Sequence, residues 1–142
     1  MEEDVIDYLE TYITGSKLPL AVIGPVGCGK LYSTNKILAD FGIPHINISI
    51  AGMPILDFVK KVEQNKNCTI VVETDKHMNS NQKEDNQNVF KAMMDYSIPE
   101  RMVCAITKDE NILFNFTGRL IIISLENELH DSVLSRCLVT KF

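Results

Sequence analysis

The sequence predicts an α/β domain with a parallel sheet covered by helices on both faces. Three observations lead there. Short apolar β-branched runs, such as Thr69-Ile70-Val71-Val72 and Leu120-Ile121-Ile122-Ile123, have the continuous character of strands buried on both sides. Segments of helical periodicity separate most of these runs. A glycine-rich turn, Gly24-Pro25-Val26-Gly27-Cys28-Gly29-Lys30, joins the first strand to the helix that follows.

In chain order, Val5, Ile6, Leu9, Tyr12 and Ile13 mark one helical face over residues 4–13, and Gly15 provides the stop. Leu18–Ile23 is a short apolar strand. Lys30–Phe41 is helical, with Leu31, Ile37, Leu38 and Phe41 as its apolar positions and Gly42 as terminator. Ile46–Ile50 alternates with period two and reads as a strand. Pro54–Asn65 reads as a helix with Pro54 in its first turn and Ile55, Phe58, Val59 and Val62 turned inward. After the strand at 69–72, residues 74–88 hold one large apolar residue, Met78, and read as a solvated loop or helix start. A helix is expected from about Gln87 to Tyr96, carrying Val89, Phe90, Met93 and Met94. Met102–Ile106 and Ile112–Phe116 flank the polar turn 107–111, which predicts an inserted β-hairpin at 101–117. A short helix at Asp131–Leu134 and a strand at Cys137–Phe142 follow the second buried strand.

Composition narrows the classes. The 142 residues are 45% hydrophobic and 23% charged, which suits one domain, 1–142, with one core rather than a disordered chain. The net charge of −5 does not support direct nucleic-acid binding through the phosphate backbone. No apolar run approaches the ~20 residues of a membrane span, and the Met-Glu-Glu-Asp start has the wrong charge for a signal peptide. The four cysteines and three histidines are dispersed, without the spacing of a zinc site or a disulfide framework. A cytoplasmic, reduced protein is expected.

The glycine turn has the strongest chemical content. Gly24–Lys30 fits G-x-x-x-x-G-K between a strand and a helix, the setting that a phosphate-binding loop requires. Glycines let backbone N–H groups wrap an anion without Cβ interference, the helix N-terminus adds partial positive charge, and Lys30 reaches the outer phosphates. Gly24, Pro25, Val26, Gly27, Cys28, Gly29, Lys30 and Leu31 are therefore the expected binding residues for ATP or ADP. Leu31 stands where a working loop has the Ser or Thr that ligates Mg2+, so metal dependence is expected to be weak. Thr34 comes back to the same helical face a turn too deep. At the end of the buried strand, Glu73-Thr74-Asp75 occupies the place of a metal-orienting acid and a catalytic base. Glu73 falls at the metal position, with Asp75 on the same side of an extended chain, while Thr74 lacks basicity where the base belongs.

The order of glycine loop, acidic strand end, apolar strand with a polar end at Ser124, and short helix ending Ser135-Arg136-Cys137 resembles the AAA+ ATPases, especially the compact forms found in phages and in clamp loaders. The resemblance covers nearly the whole chain. It implies a five-stranded parallel sheet with strands near residues 20, 48, 71, 122 and 139, and the hairpin as an insertion. It also implies that Arg136 occupies the position of the arginine finger, which reaches nucleotide held by a neighbouring subunit. The usual sensor Asn position holds Leu125, with Asn127 two residues later. A C-terminal helical lid is expected to be absent from this chain. The family's business is DNA replication, remodelling or packaging, and its members self-associate or dock on related proteins.

Two functional readings stay open from sequence: a nucleotide-binding AAA+ core with weak or lost hydrolysis, and a non-catalytic pseudo-ATPase that docks on an AAA+ ring, helicase or clamp loader. A phosphate-loop kinase of small metabolites fits less well, since no substrate lid of that type is visible. At most a weak ATPase is expected.

Overall fold

The computed structural model describes residues 2–74, 80–95, 100–106 and 110–142. The chain runs α1 (Glu2–Gly15), β1 (Leu20–Ile23), α2 (Lys30–Asp40), β2 (His45–Ser49), α3 (Ile55–Gln64), β3 (Thr69–Glu73), α4 (Ser80–Met93), β4 (Arg101–Ile106), β5 (Asn111–Phe116), β6 (Arg119–Ser124), α5 (Asp131–Leu134) and β7 (Leu138–Lys141). Five strands form a sheet in the order β2-β3-β6-β1-β7, and every pairing in it is parallel. β4 and β5 pair antiparallel in a separate two-stranded sheet.

The central strands are apolar because both their faces are covered. Leu20, Val22, Val71, Ile121 and Ile123 point to one side, where Leu9 and Ile13 of α1 and Ile37 and Leu38 of α2 meet them. Ala21, Ile23, Ile70, Val72, Leu120 and Ile122 point to the other, against Phe58, Val59 and Val62 of α3 and Val89, Phe90 and Met93 of α4. Phe58 and Phe90 meet edge to face, with ring centroids 5.9 Å apart, and join these two helices. The hairpin alternates: Val103, Ala105, Ile112, Phe114 and Phe116 turn into this second core, while Met102, Ile106 and Leu113 are exposed.

The structure departs from the periodicity reading at α4. The helix begins at Ser80, well before the expected Gln87. The polar run through Gln82, Lys83 and Glu84 consists of good helix formers, and a sequence run of this kind has no apolar stripe by which to mark a helix. Asn86, 1% exposed, is already packed although it belongs to the polar stretch.

Two buried arginines tie the layers together, and neither is singled out by sequence pattern. Arg119 donates from Nε to Leu18 O (2.7 Å), from Nη1 to Ile13 O (2.9 Å) and from Nη2 to Tyr12 O (2.8 Å). It thus gathers the orphan carbonyls at the end of α1 onto the first residue of β6. Arg101 donates to Met93 O (2.9 Å) at the end of α4 and to Gly118 O (2.7 Å), and lies over the Phe116 ring. Among the described residues no helix is long and apolar enough to cross a membrane.

Candidate functional site

The parallel order places the C-terminal ends of β1, β3 and β6 side by side, and a cleft opens there. Its volume is about 350 Å³, and Val26, Gly27, Cys28, Lys30, Leu31, Glu73, Thr74, Ile123, Ser124 and Leu125 line it. In an open α/β sheet this edge is the expected ligand position.

The glycine loop forms one wall. Gly27 (φ 76°) and Gly29 (φ 89°) adopt left-handed conformations that a side chain would strain. Gly29 is the N-cap of α2, and the helix's first backbone bond runs from Ser33 N to Gly29 O (2.9 Å). The N–H groups ahead of Ser33 thus form the open, partly positive end of the helix. Lys30 is 8% exposed; its Nζ donates to Gly24 O and to Pro25 O (3.0 Å), folding the side chain back along the loop. Gly24 is a glycine for another reason. A Cβ there would stand 2.8 Å from Phe142 Cβ and 3.2 Å from Cys28 Sγ, because Phe142 N donates to Ile23 O (2.7 Å) and lies against the loop.

The opposite wall comes from β3 and β6. Glu73 pairs in register with Ser49 and Ile123, which puts it on the α2 face with its carboxylate exposed at the rim. Thr74 is buried; its N and Oγ1 both donate to Ile123 O, at 3.0 and 3.3 Å. Ser124 is buried and donates to Leu125 O (3.0 Å).

The structure thus brings Val26, Gly27, Cys28, Lys30, Leu31 and Glu73 to one cleft. Gly24, Pro25 and Gly29 shape the loop behind it. Leu31, Thr74 and Leu125 all line that same cleft although they lie far apart in the chain. Asn127 (φ 65°) sits in the turn after β6 and does not line it. Arg136 is exposed after α5 and caps that helix, its guanidinium donating to Ser132 O. Asp75 lies outside the described residues.

Phosphate oxygens fit the loop wall, where positive-φ glycines, a helix N-terminus and a lysine converge. A divalent cation has fewer donors. Leu31 supplies no oxygen, and the Thr34 hydroxyl is buried on Lys30 O (2.8 Å). Among the described residues, Glu73 is the carboxylate on the cleft, and no group of three metal-ligating side chains occurs.

Comparison with solved structures decides the fold. The Thermotoga maritima RuvB Holliday junction branch migration motor superposes over 100% of this chain with a TM-score of 0.64, at 14% sequence identity. The fold is that of a P-loop AAA+ core. The chain spans 45% of the length of that RuvB structure. Neither a protein-family model nor a curated protein matches the sequence. At this identity the AAA+ likeness is one of fold.

Proposed function

We propose that this chain is an AAA+-type nucleotide-binding core that holds ATP or ADP on the Gly24–Lys30 loop and hydrolyses ATP weakly or not at all. The observation that carries the reading is the contrast between the two walls of the cleft. The loop wall has the backbone conformation and the lysine needed for phosphates. The facing wall has Thr74 tied to Ile123 O where a base would act. Glu73 and Asp75 are the residues proposed to approach Mg2+, and Arg136 the residue proposed to reach nucleotide on a neighbouring subunit. Phosphoryl transfer depends on positioned charge more than on covalent chemistry, so the loss of a metal ligand, a base and a sensor lowers the rate by orders of magnitude. The process proposed is DNA replication or remodelling; the RuvB branch migration motor is one DNA-remodelling protein with this fold.

Calorimetric titration of ATP and ADP, with and without Mg2+, into the wild type and Lys30→Ala tests the reading. Removing a charge-assisted contact to phosphate weakens binding by about tenfold or more. Absence of binding to the wild type at millimolar nucleotide rejects it. The non-catalytic docking module then becomes the better account. A specific observation favours that second reading: Met102, Ile106 and Leu113 expose apolar side chains on the outer face of the hairpin, a surface suited to an AAA+ ring or helicase.

A further inference from the structure

The main sheet ends at β7, whose neighbour is β1. Leu138 N donates to Pro19 O (2.8 Å) and Phe142 N to Ile23 O (2.7 Å). The two-residue period of a strand turns the backbone of Thr140 toward β1 as well, and turns the N–H and C=O groups of Val139 and Lys141 outward. Beside this edge is a cleft of about 150 Å³ lined by Val5, Tyr8, Tyr12, Val139, Thr140 and Lys141. Tyr8 is 62% exposed on its flank. Thr140 lies in register with Val22 and so on the α1 face; it is 5% exposed, and its hydroxyl oxygen is buried with no hydrogen-bond partner among the described residues. Native structures rarely leave such a group unpaired.

We propose that this edge joins two copies of the chain, with β7 running antiparallel to its twin about a two-fold axis at Thr140. Self-complementarity selects the partner and the register. With the axis on Thr140, the outward-facing Val139 of each copy meets Lys141 of the other as a hydrogen-bonded pair, giving four backbone bonds. Thr140 then opposes its twin as the close, non-hydrogen-bonded pair. Each Thr140 hydroxyl is both donor and acceptor, so once a change of χ1 rotamer brings it from the buried position to the strand edge the two can satisfy one another across the strands. An axis on Val139 would oppose Thr140 to Leu138 and leave the hydroxyl unpaired. An axis on Lys141 would oppose two lysines. The same-face arrangement brings the two α1 helices side by side and covers Tyr8. The result is one continuous sheet through both copies, closed by symmetry, with neither β7 edge left open.

Sedimentation velocity of the full chain over a concentration series reaching hundreds of micromolar reads the association directly. The wild type is expected to show a monomer–dimer equilibrium. Val139→Pro removes an outward-facing N–H without touching the ladder to β1, a position where an edge strand tolerates proline. It is expected to raise the dissociation constant about tenfold or more, since two backbone bonds disappear from the symmetric interface. Thr140→Cys is expected to form a disulfide between copies at position 140, located by mass spectrometry, because a non-hydrogen-bonded pair brings the side chains close. Should Val139→Pro fail to fold, Thr140→Val serves: loss of the paired hydroxyl weakens the dimer. Wild type that stays monomeric throughout, a dimer indifferent to these substitutions, or a dimer whose Thr140→Cys form does not cross-link each overturns the proposal.

Discussion

Gly24→Ala isolates how the glycine loop is held. Gly24 is not among the positive-φ residues, so its backbone accepts alanine, and the difficulty is contact alone. The new Cβ would stand 2.8 Å from Phe142 Cβ. That is roughly 1 Å inside the 3.5–4.0 Å optimum for carbon pairs. The contacted atom is not the far end of a flexible side chain. It is bonded to a backbone that Phe142 N fixes to Ile23 O at 2.7 Å. Relief requires either loss of that bond, worth about 1 kcal/mol, or displacement of the loop, with overpacking costs of about 1–3 kcal/mol. We expect a loss of about 2 kcal/mol and a fall in thermal midpoint of about 6 °C. Nucleotide affinity should fall with it, because Gly24 O is one of the two carbonyls holding Lys30. Phe142→Gly removes the nearest contact and leaves Cys28 Sγ at 3.2 Å, so in that background Gly24→Ala should cost less, about 1 kcal/mol, a coupling that a double-mutant cycle measures. Chemical denaturation and calorimetry of the four proteins provide the assay. A Gly24→Ala protein as stable as wild type, or an equal cost in both backgrounds, would refute the contact as the reason for glycine.

Leu31→Thr should make nucleotide affinity depend on Mg2+, and adding Thr74→Glu should raise phosphate release above the wild-type rate, at the cost of the Thr74–Ile123 hydrogen bonds. Cys28 lines the cleft, so ATP should slow its alkylation, and equal labelling rates with and without ATP would count against nucleotide at that wall. Arg119→Met strips three carbonyls of their donor and should cost about 3–4 kcal/mol, with hydrogen exchange in α1 accelerating before that in β6. Burial pushes the Cys137 thiol from 9.0 up to about 12, against a smaller opposing effect of the Arg136 charge. Above pH 9 the unfolded chain therefore releases a proton that the folded chain keeps. Stability should fall with rising pH up to about 12, with a limiting slope of about 1.4 kcal/mol per pH unit that Cys137→Ala abolishes.

The elements visible in the sequence are those whose burial repeats with a simple period. β3 and β6 are buried on both faces and read as unbroken apolar runs; the hairpin is buried on one face and alternates. The start of α4 has no such period, so its polar turns could not be told from a loop. The glycine loop stands out in the sequence because its spacing is fixed; the left-handed conformations of Gly27 and Gly29 are seen only in the folded chain. The role of Gly24 was not legible there, since its neighbour Phe142 comes from the far end of the sequence and no local pattern encodes that contact. Arg101 and Arg119 were equally silent. An arginine before an apolar strand is ordinary, and only the folded chain reveals the helix ends that each one caps.

Binding of nucleotide and chemistry on it place different physical demands on a cleft of this kind. Phosphate binding rests chiefly on backbone conformation, a helix end and one lysine, and substitutions at neighbouring side chains leave those intact. Catalysis rests on side-chain atoms aimed at charge that develops only in the transition state. Leu31 is in α2, Thr74 directly follows β3 and Leu125 directly follows β6, and all three line the cleft beside the Gly24–Lys30 loop. The strand residues behind the cleft, Leu120, Ile121 and Ile122, are fully buried. Under the proposed reading, the ordered loop and the nucleotide on it are kept while turnover is weak or lost. Nucleotide would then act as a ligand that stabilises the loop and the adjoining end of β7 through Phe142, raising the unfolding midpoint with concentration by mass action.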